Sequence, residues 1–299
     1  MRILLISFDT QKEQLKNMLD NPDIEVLELN NNKGKIKKLI EVIRKIIKSD
    51  IVYIGYGCYK RNIYLYLAKI FNKRTVSHWI GTDVLLAKEN KNLNKVLKYI
   101  DCNLTCSPVL KEELKEIGID AIEMPIVPNW NDTNYSKLPI KHSVLIYMPE
   151  KKEEFYGLEY VKCAAEAYPE LKFYIVANDN DILNLKNVKF LGRLSHEEME
   201  KLYDKITILL RMPKHDGLSL MLLEALIKGK EIIYSYKFPY TQYATSKEEV
   251  NNKISKIIQK QPEFNKLGHQ YVLKNYDINN IKENLKKILF DVCAEEGKI

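Results

Sequence analysis

The hydrophobic positions in the first half of the chain alternate between two kinds of pattern. Short runs rich in Ile, Val and Leu are typical of strands that are buried on both faces of a parallel sheet. These runs are residues 2–8, 24–29, 51–55, 75–78 and 102–106. Between them, apolar residues recur at helical spacing over 36–47 and 64–71. Alternating strands and helices predict a parallel sheet covered by helices.

A second half repeats this organisation after an interruption. Residues 121–140 contain several prolines and a polar run, which is typical of a linker. Beyond it, strands are predicted at 143–147, 171–176, 188–191, 206–210 and 231–235, and helices at 158–167, 196–203, 218–227, 248–259 and 278–292. The pattern predicts an α/β fold of two Rossmann-like parallel-sheet domains, 1–136 and 137–277, facing a cleft. Ligands of such sheets bind at the carboxyl ends of the strands.

Composition narrows the class of protein. The chain has 299 residues, 45% apolar and 29% charged, which suits two soluble domains. No apolar run approaches the roughly 18 residues of a membrane-spanning helix. Residues 1–8 favour a first strand over a secretion signal, so a cytoplasmic protein is expected. Among the five cysteines there is no CxxC pair, and no metal site is expected.

The net charge of +7 is concentrated in the first half, over 33–48 and 88–98, and indicates a partner that carries phosphate. The basic helix 35–48 has two interpretations. Its lysines face water, or they contact an anionic membrane, which would place the protein at the inner face of that membrane. Nucleic acid is not expected as a partner, because no DNA- or RNA-binding motif is present.

The most informative segment, residues 209–235, predicts a strand, a polar loop, a helix, a turn and a strand. Gly217 allows close approach where the loop enters the helix. The backbone amides of Gly217, Leu218 and Ser219 would then be donors at a helix N-terminus, an arrangement suited to a diphosphate.

Two acidic residues flank this predicted anion site. Glu224 follows in the helix, and its carboxylate can accept hydrogen bonds from paired sugar hydroxyls. The alternative is structural: Asp216 caps the helix, Glu224 faces solvent and Gly229 ends the helix.

The segment resembles the retaining GT-B glycosyltransferases, and glycosyltransferase family 4 in particular. The signature of that family is an acidic residue, seven residues, then Glu followed by Ala-Leu or Ala-Met and a turn of small residues. Here the acidic residues are Asp216 and Glu224, with Asp in place of the commoner Glu. Residues 188–203 also match the rhythm of the family. The resemblance covers the whole chain and is specific over 188–235.

The resemblance implies a role for each residue of the motif. Asp216 would face the donor sugar, Glu224 would bind the ribose hydroxyls and the amides of 217–219 would bind the diphosphate. Further donor contacts are implied for three residues before the helix: Arg211, Lys214 and His215.

One position departs from the family pattern. Relatives carry an Arg and a Lys-Gly pair after the first strand of this domain, where they neutralise the leaving diphosphate. Gly157 matches, but Tyr156 stands at the position of the Lys. Lys151 or Lys152 is an alternative source of charge; otherwise the leaving-group site is rebuilt, or catalysis is weak.

In the first domain, residues 75–84 resemble a His-x-Gly-Ser-Asp segment of the family that lines the cleft opposite the donor. His78 and Asp83 are therefore candidates to contact the transferred sugar or the acceptor. The alternative is that His78 is a satisfied residue at a strand end and Asp83 an N-cap. Three further acceptor-side candidates are Tyr59, Arg61 and Thr82.

The function implied by the resemblance is transfer of a sugar, with retention, from a nucleotide-diphosphate donor to a hydroxyl of a glycan or lipid-linked acceptor. It requires no cofactor, and no essential metal is expected, since 178–181 favours a turn over a metal motif. The helix 278–299 is expected to return to the first domain. The lack of glycine over 8–13 argues against a dehydrogenase. Two alternatives stay open: a sugar-nucleotide epimerase, and a non-catalytic GT-B-like subunit.

Overall fold

A computed structural model describes residues 1–7, 9–29, 35–60, 62–90, 93–128 and 138–294, with the backbone alone at 9, 10, 35, 36 and 59. The chain divides into two compact units. Unit 1 is Met1–Asn129 with Tyr276–Ile299, and unit 2 is Trp130–Asn275. The predicted limits fall at 136 and 277. Residues 129–137 of the predicted linker, and the predicted acceptor residue Arg61, lie outside the described residues.

Unit 1 contains a six-stranded parallel sheet in the order β2-β1-β3-β4-β5-β6. Its strands are β1 (Arg2–Ile6), β2 (Glu25–Glu28), β3 (Ile51–Gly55), β4 (Arg74–Trp79), β5 (Cys102–Thr105) and β6 (Ile122–Glu123). Its helices are α1 (Asp9–Leu19), α2 (Lys35–Lys48), α3 (Asn62–Ile70), α4 (Thr82–Lys88), α5 (Leu93–Leu97), α6 (Pro108–Glu116) and α12 (Ile278–Ala294), with a 3-10 turn at Cys58–Lys60. Helix α12 packs on α1, and its Lys286 pairs with Asp23, which lies between α1 and β2.

Unit 2 contains a second parallel sheet of six strands in the order β12-β11-β10-β7-β8-β9. Its strands are β7 (Ser143–Tyr147), β8 (Lys172–Val176), β9 (Val188–Phe190), β10 (Ile208–Arg211), β11 (Glu231–Tyr234) and β12 (Gln242–Tyr243). Its helices are α7 (Leu158–Ala167), α8 (His196–Tyr203), α9 (Leu220–Ile227), α10 (Lys247–Ile258) and α11 (Lys266–Asn275).

The predicted α/β fold with two parallel sheets is confirmed. Central strands such as Ile51–Gly55 are buried along their whole length, which is why they appear as uninterrupted apolar runs. The interpretation of 121–140 as wholly irregular is wrong at one point, because Ile122–Glu123 pairs with β5. A two-residue strand is too short to give a periodic signal.

Candidate functional site

Polar and aromatic side chains gather at the carboxyl edge of the second sheet. Tyr147, Arg211 and Tyr234 are the last residues of three adjacent strands, β7, β10 and β11. Because the strands are parallel, these three residues lie at the same edge, which is where ligands bind in this class of sheet. The loop that leaves β10 at this edge leads into α9.

A buried ion pair lies at the start of this loop. Asp216 Oδ2 accepts a hydrogen bond from Arg211 Nε at 2.6 Å and a second from the Tyr234 hydroxyl at 3.0 Å. The side chains of Arg211 and Asp216 are only 8% and 13% exposed. Burial opposes the charge of the guanidinium, but the charge of Asp216 and its hydrogen bond outweigh it, so the pKa of Arg211 is raised. The arginine is therefore a permanent, fixed cation.

Two aromatic rings contact this cation. The central carbon of the Arg211 guanidinium lies 5.8 Å from the ring centroid of Tyr147 and 5.8 Å from that of Tyr156. The two rings meet edge to face at 5.2 Å. Tyr156, which occupies the position of the expected lysine, thus holds a cation supplied by another strand.

Helix α9 begins two residues later than the sequence indicated. It starts at Leu220, and Ser219 is its N-cap, accepting a hydrogen bond from the amide of Leu222. The predicted start at 218 is corrected because the serine side chain takes the capping role. Within the described part of the chain, the amides of 217, 218 and 219 donate to no protein acceptor.

Glu224 lies further along α9, about 6 Å from Leu220 along the helix axis. The residue as a whole is partly exposed, and its carboxylate accepts a hydrogen bond from the Tyr203 hydroxyl at 2.7 Å. Burial raises the pKa of Glu224 above its ordinary value, and the hydrogen bond from Tyr203 opposes that shift. Glu224 is therefore held by one partner and keeps acceptor capacity for a ligand.

The loop after β7 packs against the loop after β10. Gly157 has φ +82°, and a Cβ there would lie 2.6 Å from the carbonyl oxygen of Met212. The amide of Lys214 donates to the carbonyl of Phe155 at 2.8 Å. The lysines proposed as alternatives, Lys151 and Lys152, both have exposed side chains.

The remaining donor-side predictions fall in this same region. The side chain of Lys214 is exposed and that of His215 is buried. In residues 178–181, Asn178 Oδ1 accepts a hydrogen bond from the amide of Asn180, and Asp181 Oδ1 accepts from the amides of Leu183 and Asn184. Over the residues that the structure describes, no cluster of three or more His, Cys, Asp or Glu side chains could hold a metal ion.

The candidates of unit 1 are held inside the protein. His78 is fully buried; its Nε2 lies 2.8 Å from the carbonyl oxygen of Met124 and its Nδ1 lies 2.6 Å from the Tyr53 hydroxyl. Because a carbonyl can only accept, Nε2 carries the proton and Nδ1 accepts from Tyr53. Burial lowers the pKa of His78 to about 4, so the ring is neutral.

Asp83 is also fully buried. Its carboxylate accepts hydrogen bonds from the amides of Gly57, Ile80 and Gly81 at 3.0, 3.1 and 2.8 Å. Burial raises the pKa of Asp83 although these hydrogen bonds oppose the shift. The residue lies inside the first turn of α4 rather than at its N-cap.

Among the acceptor-side candidates, the Thr82 hydroxyl pairs with the Tyr56 hydroxyl at 2.8 Å. The side chain of Tyr59 is outside the described residues. For His78 and Asp83 the contacts seen are structural ones, and their contact with a substrate stays a prediction. Sequence reasoning missed the tyrosines that surround the acidic residues of unit 2, although aromatic residues at strand ends and after Gly-containing loops are a visible signal.

No protein-family model and no curated protein sequence matches this chain. Its fold is similar to solved structures. The lipopolysaccharide outer core galactosyltransferase WaaB, in its apo form, is 15% identical with TM-score 0.68, over 97% of this chain and 99% of that one. Sucrose-phosphate synthase from Thermosynechococcus elongatus is 13% identical with TM-score 0.74, over 99% and 100%.

A third similar structure is an epimerase. UDP-GlcNAc 2-epimerase from Neisseria meningitidis, bound to UDP-GlcNAc, is 12% identical with TM-score 0.58, over 97% of this chain and 100% of that one. At such identities the likeness establishes the fold. The chain has the α/β fold of GT-B proteins, with a Rossmann-like parallel sheet in each unit.

Proposed function

We propose that the protein is a glycosyltransferase that moves a sugar from a nucleotide-diphosphate donor to a hydroxyl acceptor. The observation that carries this proposal is the start of α9, where the amides of 217–219 donate to no protein group and Glu224 follows on the same helix. Unpaired amides at a helix N-terminus bind phosphate. A carboxylate about 6 Å further along the axis suits the hydroxyls of the nucleoside sugar.

In the proposed reaction the protein mainly positions groups. The amides hold the diphosphate, Glu224 accepts from the ribose hydroxyls, and the loop at Asp216 faces the transferred sugar. The acceptor hydroxyl attacks on the face that the diphosphate leaves, and the departing phosphate oxygen takes the hydroxyl proton, so the anomeric configuration is retained. Orientation and fixed charge supply the rate enhancement, and neither a cofactor nor an essential metal is part of the proposal.

The acceptor belongs to the proposal as a glycan or a lipid-linked sugar. One structural neighbour is named as a galactosyltransferase of the lipopolysaccharide outer core. A second, TarM, was solved with α-GlcNAc-glycerol and UDP, at 13% identity and TM-score 0.64 over 86% of this chain and 59% of that one. These names support sugar transfer in proteins of this fold and leave the sugar of this chain open.

Binding of the donor is tested by calorimetric titration of UDP, GDP and their common sugars into the wild-type protein and Glu224→Ala. We expect one base to be preferred, and about a tenfold to hundredfold weaker affinity in the variant, from the loss of hydrogen bonds to a charged group. Lys162→Met, on the exposed side of α7, is the control. Absence of binding by any nucleotide would refute the proposal.

The proposal also includes a peripheral membrane contact, and an exposed apolar surface on unit 1 supports it. Helices α2 and α3 pack against each other. Together they expose six large apolar side chains, each about half accessible: Leu39, Ile40, Ile47, Ile63, Tyr66 and Ile70. Exposed cations of α2 flank this surface: Lys37, Arg44 and Lys48. Apolar side chains bordered by cations fit an anionic bilayer surface, such as the inner face of the cytoplasmic membrane.

This contact would bring the acceptor side of the enzyme close to a lipid-linked substrate. Along the described residues, no helix has the length and apolar character that crossing a bilayer requires. The test is co-sedimentation with phosphatidylglycerol vesicles and with phosphatidylcholine vesicles. Ile40→Asp should reduce binding to the anionic vesicles several-fold. Ile182→Asp, equally exposed at 45% but in unit 2, should not. Equal binding to both kinds of vesicle, or to neither, contradicts the contact.

The epimerase is the second candidate, and similarity to two 2-epimerase structures favours it. An epimerase would convert the nucleotide sugar without an acceptor. Incubation of the preferred nucleotide sugar with the protein alone, followed by chromatography of the sugar, separates the two activities. A non-catalytic subunit would bind the donor and show neither conversion nor transfer until a second protein is added.

A further inference from the structure

The position of Tyr156 raises the question of where the leaving diphosphate finds its positive charge. The lysines on the loop after β7, Lys151 and Lys152, point their side chains into solvent. A solvated lysine is screened and entropically free, and it contributes little fixed charge. The loop that would supply the cation in the related enzymes therefore supplies none that is buried.

A buried cation is nevertheless present at the same edge, on a different strand. Arg211 ends β10, directly before the loop that leads to the unpaired amides of 217–219. The central carbon of its guanidinium lies 5.8 Å from the ring centroid of Tyr147 and 5.8 Å from that of Tyr156. The tyrosine at the lysine position is thus one wall of a site for an arginine.

Asp216 links this cation to the loop that contains the unpaired amides of 217–219. Its Oδ2 accepts from Arg211 Nε at 2.6 Å, and Asp216 immediately precedes Gly217. The Tyr234 hydroxyl donates to the same oxygen, which fixes the carboxylate from a third strand. Only one guanidinium nitrogen is used in this bond, and a guanidinium carries five N–H donors.

We propose that Arg211 replaces the missing lysine as the cation that binds the leaving phosphate, with Asp216 and Tyr156 as its positioning residues. The inference rests on the proposed function and deepens it. A cation that is fixed before the substrate arrives stabilises charge that develops on the departing phosphate without reorganisation. This role of Arg211 also predicts that the site binds a nucleoside diphosphate more tightly than the monophosphate of the same nucleoside.

The inference is tested by measuring how much more tightly the protein binds the diphosphate than the monophosphate. The affinities of UDP, UMP, GDP and GMP are measured by calorimetry on the full-length protein, and the diphosphate-to-monophosphate ratio is taken for the preferred base. Arg211→Met should reduce this ratio by about tenfold to a hundredfold, the usual range for a contact to a charged group. Glu224→Gln should weaken both nucleotides together and leave the ratio unchanged. Lys162→Met is the control for the loss of one positive charge in unit 2.

Removal of Arg211 alone leaves the negative charge of Asp216, which is 13% exposed, with only the neutral Tyr234 hydroxyl as a partner, so a second variant guards against misfolding. Arg211→Met with Asp216→Asn removes both charges, a replacement that buried ion pairs often tolerate. It should show the same reduced ratio. A wild-type ratio in either folded variant, or a ratio that falls in Lys152→Met instead, overturns the inference.

Restoring the family residue gives an independent outcome. Tyr156→Lys adds a cation to a site where Arg211 already supplies one, so we expect at most a few-fold change in the diphosphate-to-monophosphate ratio and in the rate of nucleotide release from the nucleotide sugar. A gain of tenfold or more in turnover would overturn the inference, since it would show that the cation was lacking. If the wild type binds no nucleotide at all, the proposed function fails. If it binds nucleotides and Tyr156→Lys gains activity, only the role of Arg211 fails.

Discussion

Units 1 and 2 have the same kind of sheet but use the carboxyl ends of their strands in opposite ways. In unit 1, His78 and Asp83 are fully buried, and protein groups occupy both ring nitrogens and both carboxylate oxygens. In unit 2, Asp216 and Glu224 are partly exposed, and the amides of 217–219 donate to no protein group.

The difference shows that polar residues at strand ends are not all binding residues. A buried carboxylate that accepts three backbone hydrogen bonds stabilises the turn it bonds to, and it has little capacity left for a ligand. Glu224 is a partly exposed residue whose carboxylate has one partner, the Tyr203 hydroxyl, and it keeps that capacity. The contrast supports the proposal that the donor binds in unit 2, and three experiments test it.

The largest expected effect is that of Asp83→Ala on the free energy of unfolding. It removes the acceptor of the buried amide of Gly57 and of the partly buried amides of Ile80 and Gly81, which should lower the free energy of unfolding by about 4 kcal/mol. Urea unfolding measures this loss, and nucleotide affinity should stay at the wild-type value where the variant is folded. A loss below about 1 kcal/mol together with abolished transfer would instead assign Asp83 to the chemistry.

His78 predicts a pH dependence of stability. Its pKa is lowered from 6.5 to about 4 in the folded protein, so the unfolded state binds more protons between these values. Stability is therefore present above pH 6.5 and is lost as the pH falls towards 4, by about 3 kcal/mol in total. Asp83, whose pKa is raised, shifts stability in the opposite direction as the pH falls. The contribution of His78 is therefore obtained as the difference in stability between the wild type and a variant at position 78.

The variant for this comparison is His78→Gln. It should be less stable than wild type at pH 7, and the difference should shrink as the pH approaches 4. Urea unfolding at three pH values between 7 and 4.5 is the measurement. A difference that stays constant with pH would mean that His78 is not held neutral inside unit 1.

The smallest effect concerns Glu224, whose pKa is raised by burial. If its carboxylate accepts sugar hydroxyls, nucleotide affinity should fall as the pH is lowered, starting above the ordinary value of 4.5. Tyr203→Phe removes the hydroxyl that supports the charged form, so this fall should begin at higher pH and affinity should drop a few-fold. Calorimetry across pH 5 to 8 tests the pH dependence in wild type and in Tyr203→Phe. A nucleotide affinity that does not change with pH in wild type would exclude Glu224 as the group that accepts the sugar hydroxyls.

The fold was largely predictable, for identifiable reasons. The strands 51–55 and 143–147 and the helices 158–167 and 196–203 have the predicted limits, because buried apolar runs and amphipathic periodicity are strong local signals. Helix α1 was not predicted, since Asp9–Leu19 is mostly polar and packs through few apolar residues. The start of α9 was placed two residues early because a serine that caps a helix looks like any serine in its first turn.

The candidate site was predictable only as a set of residues. Periodicity and motif spacing are local properties of the chain, and they were enough to predict the α/β class and to single out Asp216, Gly217 and Glu224. Only the three-dimensional packing showed which polar groups are already bonded and that Arg211 pairs with Asp216 in the loop before α9. Arg211 and Tyr156 are 55 positions apart in the sequence and meet only because β7 and β10 are neighbours in the sheet.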